Sequence, residues 1–140
     1  MKKLIILYVI TILTFVLIDA LWIGLVARPL YDQYMGQLLV TNIRWLPAII
    51  FYLMFVFGLV VFVLKPAIED KNYPLTLKRA LLYGLVTYGT YDLTSYITID
   101  GFSLMIVVTD ILWVLLSLVS SSLRSILLSI HFLLNWQLNG

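Results

Sequence analysis

The stretch Tyr83–Thr98, YGLVTYGTYDLTSYIT, decides how this chain is read. Its aliphatic residues are interleaved with four tyrosines, four threonines, a serine and one acid, Asp92. A helix of this kind is too apolar for water and too polar to face lipid all round. It reads as part of a membrane span whose polar side turns towards a bundle interior. The rest of the chain agrees. Apolar residues make up 63% of the 140 positions and charged residues 11%, against roughly half and a quarter in soluble domains. The fold class that follows is all-α, a polytopic membrane helix bundle forming a single integral membrane domain over residues 1–140, with the lipid bilayer as its first partner.

Working outwards, the chain divides into four transmembrane helices. Met1-Lys2-Lys3 precedes an apolar run from Leu4 to Val26. This run is too long for a signal-peptide core and lacks a small-x-small cleavage site, so it reads as span one. Arg28-Pro29 ends it. Apolar pairs at Leu30/Tyr31, Tyr34/Met35 and Leu38/Leu39 then predict a short interfacial helix, with an ordinary loop as the alternative. Pro47 suits the first turn of span two, which runs to about Leu64. Its Phe51, Tyr52, Phe55, Phe57 and Phe62 read as packing or lipid contact rather than a ligand cage. Lys65–Arg79, KPAIEDKNYPLTLKR, reads as a loop. Span three covers about Ala80–Ile99, Asp100-Gly101 is a turn, and span four covers about Phe102–Ser122.

The end of the chain has two readings. One helix to Trp136 would be about 50 Å long, more than a hydrocarbon core of roughly 30 Å. A helical C-terminal tail that bends near Arg124 or lies in the interface is the expectation, and a fifth span the alternative. Ser117, Ser121, Ser125 and Ser129 form a row of small residues on one face. Basic residues set the orientation. Lys2, Lys3, Lys65, Lys71, Lys78, Arg79 and Arg124 fall on one side of a four-span chain, and Arg28 and Arg44 on the other. That places both termini in the cytoplasm.

Three spans carry one aspartate each. Asp19, Asp92 and Asp110 all fall about 12–14 Å below the outer boundary by helix rise. A mid-membrane charge costs about 2.5–3.5 kcal/mol on insertion scales, and no lysine or arginine lies within the spans to pair with them. The acids must be protonated, hydrogen-bonded, hydrated or neutralised by a cation. Tyr88 and Ser95 share a helix face with Asp92 and are its expected partners, with Tyr91 widening the polar surface. Asp19-Ala-Leu-Trp22 and Asp110-Ile-Leu-Trp113 are matching pairs, each setting an indole one turn from an acid. Asp19, Trp22, Tyr88, Tyr91, Asp92, Ser95, Asp110 and Trp113 are therefore the candidate ligand-binding residues. The repeated pair hints at an internal inverted duplication.

Composition excludes much else. With no cysteine there are no disulfides, thiolate–zinc sites or iron–sulfur clusters. The single histidine, His131, argues against bis-histidine haem and histidine-rich zinc sites. No cofactor is expected, and no metal site can be assigned. A net charge of +2 is too small for nucleic-acid binding.

The motifs Asp19-x-x-Trp22, Phe51-Tyr52, Gly58, Pro66-Ala67, Tyr88-Gly89-Thr90-Tyr91-Asp92-Leu93-Thr94 and Asp110-x-x-Trp113 together resemble a family of small bacterial integral membrane proteins known as a domain of unknown function. The chain departs from the family pattern at Ser95, where asparagine is usual, and at Phe102-Ser103, where Trp-Pro is usual. The resemblance implies a membrane fold in the bacterial cytoplasmic membrane and no particular substrate.

Two functions fit. One is a small transporter or permeation subunit for a proton, cation or small cationic solute, centred on Asp92. A four-span chain is small for that task, which points to a homo-oligomer held by the serine row. The other is an accessory protein that binds a lipid or small ligand between Trp22 and Trp113 without transporting it. Catalysis fits less well. The paired acids lack the Gly-x-Gly-Asp signature of intramembrane aspartyl proteases, and no Asp-Asp-x-x-Asp cluster is present.

Overall fold

The computed structural model describes residues 2–39, 41–70 and 72–138, with side chains described within these from Leu4 to Leu128 and at His131. All the regular structure among these residues is helical. Helix α1 (Lys2–Trp22) passes through a π turn (Ile23–Ala27) into α2 (Arg28–Met35), which ends in a 3₁₀ turn at Gly36–Leu38. Helix α3 (Trp45–Leu59) likewise passes through a π turn (Val60–Leu64) into α4 (Lys65–Asp70). Helix α5 (Tyr73–Thr98) and helix α6 (Leu104–Leu138) follow.

Among the described residues, three stretches are long and apolar enough to cross a membrane: Leu4–Leu38, Trp45–Asp70 and Leu104–Leu128. Helix α5 has 26 residues but is not among them. Its tyrosines, threonines and Asp92 lower its apolar content.

Both expected helix ends at proline are corrected. Arg28-Pro29 does not terminate the first helix, and Lys65-Pro66 does not open a long loop. In each case a π turn immediately precedes the basic-proline pair, and the N–H before the proline reaches back five residues: Arg28 to the Ile23 carbonyl, Lys65 to the Val60 carbonyl. The widened turn makes room for the proline ring and re-satisfies the backbone, so the helix continues. The predicted interfacial helix over Leu30–Leu39 is thus an extension of the first helix. The loop shrinks to the few residues between α4 and α5, where Arg79 Nη1 pairs with Asp70 Oδ2 at 2.8 Å. Asn72 caps α5, its side chain accepting from Leu75 N–H at 3.1 Å. The turn into α6 is where the sequence placed it. Gly101 adopts φ 81°, and Ser103 Oγ accepts from Met105 N–H.

Helix α6 runs unbroken through Arg124 to Leu138, so among the described residues no separate helix follows Arg124. At 1.5 Å per residue it is about 52 Å long. The serine row is also corrected. Ser117, Ser121 and Ser125 are buried within the chain, together with Ser122, so they serve packing inside the bundle rather than contact between copies. The side chain of Ser129 lies outside the described residues.

The helices pack in the order α3, α1, α6, α5. Neighbours run antiparallel, and α5 closes back onto Val60–Leu64 and α4. The half nearest the start of α1 is filled with Leu7, Leu59, Val63, Leu64, Ala80 and Leu118, all buried. Thr11, also buried there, satisfies its hydroxyl on the Leu7 carbonyl at 2.6 Å. The outer face of the first helix shows Ile5, Val9, Leu13, Leu17, Leu21 and Leu25, an exposed row at every fourth residue and the natural contact for lipid tails.

Tyr83 seals the join between α3 and α5. Its ring lies across Gly58, and its hydroxyl donates to the Phe55 carbonyl at 2.8 Å. A methyl group on Gly58 would collide with that hydroxyl. Gly58→Ala is therefore expected to cost about 1–3 kcal/mol by overpacking. Adding Tyr83→Phe, which removes the clashing oxygen, should recover part of that loss. A double-mutant cycle of unfolding free energies measures the coupling.

Candidate functional site

Above this floor the helices line a cavity of about 580 Å³, within the range of small-molecule sites. Helix α1 and its extension contribute Asp19, Trp22, Ile23, Ala27 and Tyr31. Helix α3 contributes Phe51, Tyr52 and Phe55, α5 contributes Thr87, Tyr88 and Tyr91, and α6 contributes Asp110 and Trp113. Among the described residues, no lysine, arginine or histidine is in this lining.

The row Asp19, Ile23, Ala27, Tyr31 depends on the π turn. In regular α-helix, twelve residues would carry Tyr31 about 120° round the axis from Asp19. One extra residue in the widened turn takes back about 100°. Tyr31 is thereby returned to the cavity face, where its hydroxyl donates to Asp110 Oδ2.

The second acid is held by two donors. Tyr52 donates its hydroxyl to Asp19 Oδ2, and Trp113 donates its indole N–H to Asp19 Oδ1 at 3.1 Å. The Trp113 ring lies on that of Trp22, with centroids 4.3 Å apart and planes 6° from parallel. The two Asp-x-x-Trp pairs thus meet at their tryptophans. Each acid lies about 4.5 Å along its own helix from its indole. Asp19 and Asp110 lie within electrostatic reach of each other.

Asp92 differs from both. It is 0% exposed and does not line the cavity, and neither carboxyl oxygen has a hydrogen-bond partner. The bonds expected from Tyr88 and Ser95 are therefore not made. Ser95 is buried and also lies off the cavity. Tyr88 lines the cavity within electrostatic reach of all three aspartates. Tyr91 lines it as well but is 62% exposed. Among the described residues, no group of three or more acids or histidines comes together as a metal-ion ligand set. His131 is exposed on α6, far along the helix from the cavity residues Asp110 and Trp113.

Six of the eight residues expected at the site are therefore brought together: Asp19, Trp22, Tyr88, Tyr91, Asp110 and Trp113. Sequence reasoning missed Tyr31, Tyr52, Phe51 and Phe55. Tyr31 was hidden by the proline after it was assigned to an interfacial helix. Tyr52 and its neighbours had been read as packing, although Phe51-Tyr52 was among the motif residues.

A bundle of membrane-length helices around an acidic, aromatic-walled cavity defines an integral membrane protein with an internal cavity. The chain belongs to the family described as "Predicted membrane protein (DUF2177)", matched over residues 4–127, a family of unknown function. No curated protein and no solved structure matches it.

Proposed function

We propose that this protein binds a small organic cation in its membrane-embedded cavity. The observation that carries the reading is the pairing of two carboxyls with an aromatic wall in a cavity whose lining holds no basic side chain. Asp19 and Asp110 are held by neutral donors, so a guest's positive charge has no internal competitor. Tryptophan and tyrosine faces attract the same charge through their quadrupoles. With only two carboxyls in the lining and no larger ligand set among the described residues, an organic cation is favoured over a bare metal ion.

In this reading α5 is a fourth crossing. Its buried residues include Thr76, Gly84, Gly89, Asp92 and Ser95, and its exposed ones Leu82, Leu85, Val86, Leu93 and Ile97. Its exposed Thr90 and Thr98 return their hydroxyls to the helix's own carbonyls at Val86 and Thr94, which makes them compatible with lipid. Four crossings and the basic-residue bias put both termini in the cytoplasm of a bacterium. Release of the cation on the far side would make the protein a transporter. Retention would make it an accessory binding protein, and flux in proteoliposomes separates the two.

Thermal unfolding in detergent tests the binding itself. Tetramethylammonium at about 100 times its Kd should stabilise the wild-type protein by about 2.7 kcal/mol. Asp19→Asn and Asp110→Asn should each reduce the midpoint rise. An unchanged wild-type midpoint across a panel of ammonium ions would sink the reading.

A further inference from the structure

The cavity is not closed on all sides. Helix α5 packs against Val60–Leu64 and α4, but the outer half of α3 reaches it through rings rather than close backbone contact. Phe51 and Phe55 meet Tyr88 edge-on, with centroids 6.4 and 5.7 Å away. Tyr83 closes the lower end of this seam on Gly58. Above it, Phe51 of α3 and Tyr91 of α5 both line the cavity and are 42% and 62% exposed. The surrounding surface is apolar, with Ile50, Met54, Val86 and Leu93 exposed.

From this geometry we infer that the cavity opens sideways into the bilayer between α3 and α5, and that its ligand is a membrane-dissolved amphiphile with an ammonium head and an alkyl tail. The inference rests on the cation-binding reading above and adds the route and the tail. The head enters between Phe51 and Tyr91 and passes Tyr88 to reach Asp19 and Asp110. The tail stays in the seam, against aromatic rings and lipid. A zwitterionic phospholipid fits less well, because its phosphate would be brought against two carboxyl groups. The rings at the seam need only rotate to admit the head, whereas the helices at the floor are pinned by Tyr83.

The test separates the route from the site. An alkyltrimethylammonium series of increasing tail length, brominated beside the head, is added to the protein in liposomes at one fixed mole fraction in the bilayer. Quenching of Trp22 and Trp113 emission is followed in a chain carrying Trp45→Phe and Trp136→Phe. The wild-type chain provides a second measurement should that variant fold poorly. Each added methylene lowers the aqueous concentration about fourfold at constant bilayer content. Entry from the bilayer predicts an association rate that stays within about twofold across the series. A rate that falls about fourfold per methylene would overturn lateral entry while leaving the binding site intact. If no member of the series quenches the pair and tetramethylammonium leaves the wild-type unfolding midpoint unchanged, the cation-binding reading fails and the inference falls with it.

Discussion

Trp113→Ala is expected to lose about 3 kcal/mol or somewhat more of unfolding free energy, near the lower end of the range for large aromatic truncations because the ring is only half-buried. Three contributions disappear together. The stack on Trp22 is worth about 0.5–1.5 kcal/mol beyond its area. The N–H bond to Asp19 adds about 1.5–3 kcal/mol if the acceptor is ionised. The remainder is packing, since the indole is one of the contacts that join α1 to α6 at the level of the cavity. Trp113→Phe separates these contributions by keeping a ring on Trp22 and removing the donor. Reversible unfolding by SDS in mixed micelles measures both. The phenylalanine variant should lose about half as much as the alanine one. Equal losses would mean that the hydrogen bond, and not the stack, holds this level of the bundle together.

Asp92→Asn should act in the opposite direction, stabilising the protein by about 2–4 kcal/mol at neutral pH. The carboxyl is fully buried, and neither oxygen has a hydrogen-bond partner to lose. Asp110 lies close enough to repel it. Whether the folded chain buries the anion or takes up a proton on folding, the wild type bears a cost that an amide avoids. Protonating an ordinary carboxyl with a pKa near 3.9 at pH 7 costs about 4 kcal/mol, which bounds the gain. Acidification towards pH 4 should shrink the difference, because the carboxyl of the unfolded chain then takes up a proton as well. Unfolding midpoints of both proteins across that pH range provide the check. A variant less stable than wild type at neutral pH would show that Asp92 has a favourable partner. A stability gain would instead mark Asp92 as retained at a cost, as functional groups often are.

The sequence was legible where one residue type has one physical meaning. Membrane helices followed from apolar runs, the α5–α6 turn from Asp100-Gly101, and the core of the site from the two Asp-x-x-Trp pairs. It was misleading where a residue's meaning depends on its neighbours' geometry. Pro29 and Pro66 are helix breakers in water, but after a π turn they lie within continuous helices. Ser117, Ser121 and Ser125 have the spacing of an oligomer seam, yet that face meets the chain's own helices. Tyr88 and Ser95 share a face with Asp92 by periodicity, but periodicity does not determine where a hydroxyl points. Asp92 was expected at the centre of the site and lies off the cavity, whereas Tyr52, taken for packing, holds Asp19.

The π turn at Ile23–Ala27 has a consequence for comparing relatives of this chain. It is equivalent to one residue inserted into a regular helix, so the number of residues between Asp19 and Tyr31 carries information apart from their identities. A homologue with every wall residue conserved but one position deleted in this interval would present its tyrosine about a quarter-turn away from the partner acid. A gap-tolerant alignment would score that loss as trivial. In this family, spacing should be weighed as heavily as side-chain identity.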